Sequence, residues 1–285
     1  MPELPFIQVL AESLDARVRA RTVTSARLSS VSLLKTYDPP LEALQGRAIR
    51  VARRVAKLVV LDLAGDLSLV LHLMRDGRVQ VGPPRQRAGK DLALGLRLDD
   101  GREMRLVELG PKKRASAYLF RTDEMSRHEP LLGLGLDPFS HELTPERLYE
   151  MLKEERAQLK RFLTFQRHVT GIGNAYSDEI LWEGRLSPFV AAAKQKPNDA
   201  GVLLEAIRRT LGRALEEHRA HFGEELPSRE PRELLRVHRH GGEPCPRCGT
   251  PIAAVAYAEK ETYYCPACQT GGKVYADRRM SRLLK

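Results

Sequence analysis

The sequence holds no run approaching the roughly 20 consecutive apolar residues that a membrane-spanning helix requires. Its first residues lack a basic segment followed by an apolar stretch. Both absences predict a cytoplasmic protein. Cysteine is scarce too. The four cysteines, Cys245, Cys248, Cys265 and Cys268, all fall in the last fifth of the chain, and in a reducing compartment their pairing argues for metal rather than disulfides. Acidic residues are too few to balance the basic ones: 47 Lys and Arg stand against 37 Asp and Glu, a formal net charge of +10. That excess points to a polyanionic partner, nucleic acid or an acidic membrane face, with ordinary solubility charge as the plainer explanation. The bases are spread through RVRARTVTSAR, RAIRVARRVAK, PKKRAS and ADRRMSRLLK, which favours a folded basic surface over a disordered tail. Internal repeats and long low-complexity tracts are also missing.

With 285 residues the chain can form two compact domains, or one with a small appendage. Phe6, Val9, Leu10, Leu14 and Val18 recur at spacings of three and four, which predicts a helix almost at the N-terminus. From about residue 22 to 122 the pattern changes to short β-branched and Leu-rich runs separated by turn residues, the mark of a β-sandwich or barrel; GPPRQRAGK, from Gly82 to Lys90, reads as a mobile loop. HEPLLGLGLDPFS has neither period and reads as linker. Helices follow. Thr144 and Pro145 suit an N-cap and first helical position, with Leu148, Met151, Leu152, Leu159, Phe162 and Leu163 on one apolar stripe. A further helix is expected from Asn174, and another over VLLEAIRRTLGRALEEH.

CPRC, a gap of 16 residues and CPAC fit a four-thiolate zinc site in which each CxxC turn offers two ligands. Redox or free thiols are the alternative. The intervening residues alternate as a β-hairpin with Lys260 near its tip, and so small a module needs the metal for much of its folding energy. At the other end, removal of Met1 would expose Pro2 as a secondary amine, and an N-terminal amine has an ordinary pKa of about 8, well below lysine. Such an amine can attack a sugar C1′ and form a Schiff base, with Glu3 as general acid or base. Taken alone, MPELP reads more simply as a helix start with proline in its first turn.

MPELP, a lysine within RRVAKLVVLDL, the block GIGNAYSDEIL and a terminal four-cysteine finger occur in this order over essentially the whole chain. In this the sequence resembles the formamidopyrimidine-DNA glycosylase / endonuclease VIII family, as a divergent bacterial subgroup. The resemblance implies a multi-domain α+β fold: an N-terminal helix plus β-sandwich, a helix-two-turns-helix domain and a zinc finger. The domains are expected at 1–122, with a linker over 123–143, at 144–235 for the helical DNA-binding part, and at 236–285 for the finger and a basic tail. It implies a DNA glycosylase with AP lyase activity in base excision repair, acting as a monomer on damaged double-stranded DNA and carrying one structural zinc on the four cysteines.

By the same resemblance Pro2 is the nucleophile, Glu3 the acid/base and Lys57 a phosphate and active-site contact. Gly173 and Asn174 lie in the phosphate-holding signature, where a glycine turn between packed helices is the bland alternative. Lys260 stands where the family carries an arginine, keeping the charge without the planar fork. Phe6 replaces the glutamate common in formamidopyrimidine-type members. Arg75, Lys112 and Arg114 stand where those members use a Met and an Arg-x-Phe pair to fill the gap left by an extruded nucleotide, with Met74 available one residue away. Glu108, Arg278, Arg279 and Arg282 add charge without an assigned purpose. A non-catalytic binder of damaged or structured DNA on the same fold, or a zinc-finger nucleic-acid adaptor, would share much of this pattern, but only the enzyme needs Met1 removed.

Overall fold

Proline in the first turn costs a helix nothing, because its missing N–H has no partner there. A helix accordingly starts at once after the N-terminus: α1 (Leu4–Val18) has Pro5 in its first turn. In this computed structural model residues 1–84, 89–257 and 260–275 are described, the side chains of Tyr257 and Lys260 excepted. Residues 85–88 of the GPPRQRAGK segment and Arg278, Arg279 and Arg282 of the tail thus lie outside the described residues. Among the described residues no helix is long and apolar enough to cross a membrane.

The chain divides into two units, Met1–Gly133 with His218–Glu230, and Leu134–Glu217 with Pro231–Lys285. In the first, α1 is followed by β1 (Val23–Leu28), β2 (Ile49–Val55), β3 (Leu58–Leu63), β4 (Leu67–His72), β5 (Gly77–Gly82), β6 (Leu92–Leu98), β7 (Glu103–Glu108) and β8 (Ser116–Arg121). They form two four-stranded sheets, ordered β1-β6-β7-β5 and β2-β3-β4-β8, with antiparallel pairing throughout. Period-two alternation selects the inner face. Val59, Leu61 and Leu63 of β3 pair with Leu71, Leu69 and Leu67 of β4, and all six enter one core with Leu94 and Leu96 of β6 and Met104 and Leu106 of β7. A one-residue slip would turn this whole set outward, so the core fixes the register. Phe6, Ile7, Leu10, Leu14 and Val18 of α1 join the same core, each worth about 1.5–3 kcal/mol when fully buried.

The segment 218–230 is tied to α1 by both apolar and polar contacts. The Phe222 ring meets Phe6 edge-on at 6.0 Å, Arg219 pairs with Glu12 at 2.7 Å, Ser13 Oγ donates to the Glu225 carbonyl at 3.2 Å, and Arg17 donates to the Glu224 carbonyl. Phe6 is therefore a packing residue, 1% exposed. The linker stretch also has structure of its own. Met125 meets Arg53 of β2, and His128 stacks on Phe120 of β8 at 5.5 Å.

The second unit contains α2 (Pro145–Glu154), α3 (Leu159–Thr164), α4 (Asn174–Glu183) and α5 (Pro197–Phe222), whose last turn counts with the first unit, then β9 (Ala253–Tyr257), β10 (Lys260–Tyr264) and α6 (Pro266–Thr270). Thr144 caps α2 by accepting from the Arg147 amide at 3.2 Å, as expected. The apolar stripe from Leu148 to Leu163 is nevertheless split between α2 and α3. Residues 155–158 leave the helix because their backbone pairs elsewhere: Ala192 N donates to Ala157 O at 2.8 Å, Ala193 N to Glu155 O at 3.0 Å and Leu159 N to Val190 O at 2.8 Å. A periodic stripe is blind to that pairing.

Candidate active site and zinc centre

Pro2 and Glu3 are buried at the start of α1. Lys57 sits in the two-residue turn joining β2 to β3, set by the pairing of Val55 with Leu58, with Ala56 at a positive φ of 52°. It is 7% exposed. The amine of Met1 feels Glu230, Glu3, Arg75 and Lys57, while burial, the largest influence, holds it below its ordinary value of 8.0. Lys57 also acts on His72 at the end of β4, whose ring is held below its usual value first by burial and then by that cation. One electrostatic cluster thus gathers the N-terminus, Glu3, Lys57, His72, Arg75 and Glu230.

Glu230 went unnoticed in the sequence. It lies 227 positions from Glu3, whose backbone N–H donates to Glu230 Oε1 at 3.4 Å. Burial and then the neighbouring Glu3 push its carboxyl up to about 7, because a low-dielectric site disfavours the charged form. No local signal marks it within PSREPREL, since its position depends on how residues 218–230 pack on α1.

Arg75 is exposed in the turn between β4 and β5, beside Met74 at a positive φ of 52°. Lys112 and Arg114 are exposed in the loop between β7 and β8. Glu108, whose charge had no assigned purpose, organises that loop. It is 2% exposed, and its Oε1 accepts from the amides of Arg114 at 2.7 Å and Ala115 at 2.8 Å. The Leu109 amide donates to the Asp76 carbonyl at 3.1 Å, which brings the Lys112–Arg114 loop alongside the Arg75 turn.

In the second unit the chain turns sharply between α3 and α4. Gly171 has a φ of 85°, a region glycine enters without steric cost. Gln166 clamps the turn, accepting from the Gly171 amide at 2.9 Å and donating to the Ile172 carbonyl at 2.8 Å. Gly173 precedes α4 and Asn174 begins it, so the first amides of that helix form an anion-favouring end. Asn174 Nδ2 donates to the Glu261 carbonyl of β10 at 3.2 Å, and Lys160 Nζ donates to the same oxygen at 2.7 Å. Lys260, next to it, opens β10; its side chain lies outside the described residues.

Behind this turn lies a buried ionic network that the sequence did not disclose. Asp178 sits 2.7 Å from Lys160 Nζ and 2.7 Å from His238 Nδ1. Glu179 accepts from the amides of Arg236, Val237 and His238 at 2.8–3.0 Å. Burial raises the Glu179 carboxyl, and those three amides oppose the rise. Both acids lie on α4, so the helix bearing Asn174 also fixes the segment leading into the finger.

Cys245, Cys248, Cys265 and Cys268 converge, their sulfurs within 4.8 Å of one another. Tetrahedral Zn–S bonds of about 2.3 Å place sulfurs about 3.8 Å apart, so the geometry fits the ion. Cys245 also accepts from Trp182 Nε1 at 3.3 Å. The Arg247 guanidinium covers that indole at 4.2 Å, pinning the module to the end of α4. Hydrogen bonding by Thr250 holds the Cys248 thiol down to about 6, whereas burial pushes Cys265 up to about 12. A dication is what brings such unequal thiols together as thiolates. The centre is a structural zinc site, one ion per chain.

Comparisons with known proteins agree along the length of the chain. Residues 1–110 match the formamidopyrimidine-DNA glycosylase N-terminal domain, residues 134–223 the formamidopyrimidine-DNA glycosylase H2TH domain, and residues 242–271 the zinc finger found in FPG and IleRS. The formamidopyrimidine-DNA glycosylase of Roseiflexus sp. is 34% identical over 94% of this chain and 100% of its own. That of Chloroflexus aurantiacus is 32% identical over 94% and 98%. Among solved structures, Lactococcus lactis Fpg in complex with DNA containing an abasic site superposes with a TM-score of 0.83 at 22% identity, over 94% of this chain and 99% of that one. The same protein with DNA containing an oxidised pyrimidine gives 0.84 at 23%, over 94% and 100%.

Proposed function

The chain belongs to the formamidopyrimidine-DNA glycosylase family, and from that premise we propose a bifunctional DNA glycosylase and AP lyase of base excision repair that removes oxidised bases from duplex DNA. The observation that carries the catalytic reading is the gathering of the N-terminal amine with the buried side chains of Glu3 and Lys57 in one electrostatic cluster. After removal of Met1, Pro2 displaces the damaged base at C1′ and forms an iminium. Glu3 passes a proton to the sugar ring oxygen, and the iminium acidifies the C2′ protons so that β-elimination cuts the strand. Lys57 holds a phosphate near the reacting sugar.

Extruding the nucleotide costs a few kcal/mol of unstacking, offset by phosphate contacts from Gly173, Asn174 and Lys260. Arg75, Lys112 and Arg114 occupy the gap with cations that pair with the orphaned base and phosphates. The enzyme works as a monomer in the cytoplasm, on the nucleoid, with functional domains at 1–122, 144–235 and 236–285 joined by 123–143. Zinc holds the finger in shape; it takes no part in the chemistry.

The test is borohydride trapping of the processed protein on abasic-site DNA, followed by peptide mapping. The adduct is expected on the peptide beginning at Pro2, and retention of Met1 should block it. A crosslink on Lys57 would relocate the nucleophile, and no adduct at all would leave a DNA-binding protein without this chemistry.

A further inference from the structure

A secondary ammonium carries two protons, and both must leave before an iminium can form. One leaves before the nitrogen can attack, the other as the sugar ring opens. Glu3 serves the second transfer. Taking Pro2 as the nucleophile proposed above, we infer that Glu230 is the acceptor of the first proton, the base that converts the Pro2 ammonium into a nucleophile.

The geometry supports this assignment. Glu230 Oε1 accepts from the Glu3 amide at 3.4 Å, and that amide nitrogen is only three covalent bonds from the Pro2 nitrogen, about 3 Å away. The carboxylate is therefore within one side-chain rotation, or one water, of the reacting atom, a reach typical of general bases before substrate binds. It is held there by a built support: Phe222 on Phe6, Arg219 on Glu12, and the carbonyls of Glu224 and Glu225 on Arg17 and Ser13. The charged groups around it are the N-terminal amine and Glu3 from the start of α1, Lys57 from the β2–β3 turn, and Arg78 of β5 together with Arg229 on the flanking side. Burial holds the Met1 amine, one residue ahead of Pro2, below its ordinary value and raises Glu230 to about 7, so the same surroundings favour transfer from a Pro2 ammonium near neutral pH.

The proton balance closes. The Pro2 ammonium gives one proton to the Glu230 carboxylate. The freed nitrogen pair then forms the N–C1′ bond as the C1′–base bond breaks, and the base leaves with that bonding pair and takes a proton from solvent. The remaining N–H proton passes through Glu3 to the ring oxygen as the C1′–O bond breaks, leaving the iminium and a hydroxyl. Glu230 returns its proton to solvent.

Electrostatics alone would act in the opposite direction. A Glu230 carboxylate raises the amine's affinity for its proton, so a bystander's removal would free the amine and speed attack at low pH. The experiment is single-turnover trapping with sodium cyanoborohydride on an abasic-site duplex between pH 6 and 9, using processed, zinc-loaded protein. Wild type, Glu230→Gln and Glu230→Asp are compared. Glu230→Gln is expected to trap about 100-fold more slowly at pH 6.5 and to approach wild type above pH 8.5, where the amine loses its proton unaided. Glu230→Asp should keep most of the wild-type rate at pH 6.5. An unchanged or faster Glu230→Gln at pH 6.5 overturns the assignment, as does an equal loss at every pH. If wild type traps at Pro2 while Glu230→Gln matches it, only Glu230 is misassigned; if wild type gives no N-terminal adduct, the nucleophile falls and Glu230 with it.

Discussion

Replacing Asp178 by asparagine strips a buried carboxylate from Lys160 and His238. Asp178 is 1% exposed, and its two oxygens each lie 2.7 Å from a nitrogen of those residues. At that separation and an effective dielectric of about 20, the attraction to Lys160 is about 6 kcal/mol. Several kcal/mol of desolvation per ion oppose it, so the intact pair adds little net stability. One-sided removal is different, because it leaves the lysine charge buried and costs about 3–5 kcal/mol. At about 2–4 °C per kcal/mol for a unit of this size, the midpoint should fall by about 6–20 °C.

The chain supplies its own probe. Trp182 is the single tryptophan; it lies on α4 with Asp178, against Cys245. Thermal melts of the zinc-loaded protein followed by its fluorescence therefore report the unit that contains the network. Lys160→Met in the Asp178→Asn background should recover part of the loss, since it removes the stranded charge, with a coupling of about 1–3 kcal/mol between the two positions. The reasoning fails if Asp178→Asn shifts the midpoint by less than about 3 °C, or if the two substitutions simply add.

Three further outcomes are expected. Chelation, or Cys268→Ala, should release about one zinc per chain, change the Trp182 emission through Cys245, and abolish DNA binding; a metal-free protein with normal affinity would contradict the zinc assignment. Lys57→Glu and Asn174→Ala should each weaken binding to all sequences alike, but only Lys57→Glu, which removes a cation, should reduce the slope of log affinity against log salt, by about 1 or more, measured by fluorescence anisotropy over a salt series. For Glu230 the pH dependence has a defined sign. Its folded value of about 7 exceeds the ordinary 4.5, so its stability contribution is complete below about 4.5 and is lost as pH rises to about 7. Glu230→Gln should accordingly melt higher than wild type at pH 8 and equally at pH 4.5, and a lower midpoint at pH 8 would contradict the burial argument.

The fold was legible wherever a single element carries its own signal. α1, the alternating strands, the Thr144 cap and the helix from Asn174 are written in spacing, because periodicity and capping act within a few residues. What escaped was set by partners distant in sequence. The stripe from Leu148 to Leu163 is periodic throughout, yet Glu155 to Gln158 leave the helix because residues 190–193 offer them backbone hydrogen bonds. Phe6 registered as a lost glutamate, when its place is the contact with Phe222.

The candidate site divides along the same line. The four cysteines could be named from spacing alone, because each CxxC turn carries its own chemistry, whereas Pro2 and Glu3 became candidates only when the resemblance was added to a motif that otherwise reads as a helix start. Lys57 could be named only by resemblance, since nothing in RRVAKLVVLDL distinguishes a lysine at a buried hairpin tip from one on a solvated strand. Glu230, Asp178 and Glu108 had no local mark at all. Asp178 and Glu108 are buried and Glu230 is partly buried, in a chain rich in exposed carboxylates, and burial is a property of the packed structure. In a protein of net charge +10, basic residues draw attention first as contacts for a polyanion. Yet the chemistry proposed for the N-terminus depends on acids, since a cationic surface attracts DNA but cannot accept a proton from an ammonium. Burial disfavours the charged forms at this end of the chain, lowering the Met1 amine and raising Glu230, and so narrows the gap between an N-terminal amine and that carboxyl. The same burial that costs stability at neutral pH is thus what would suit Glu230 to the role of base proposed for it.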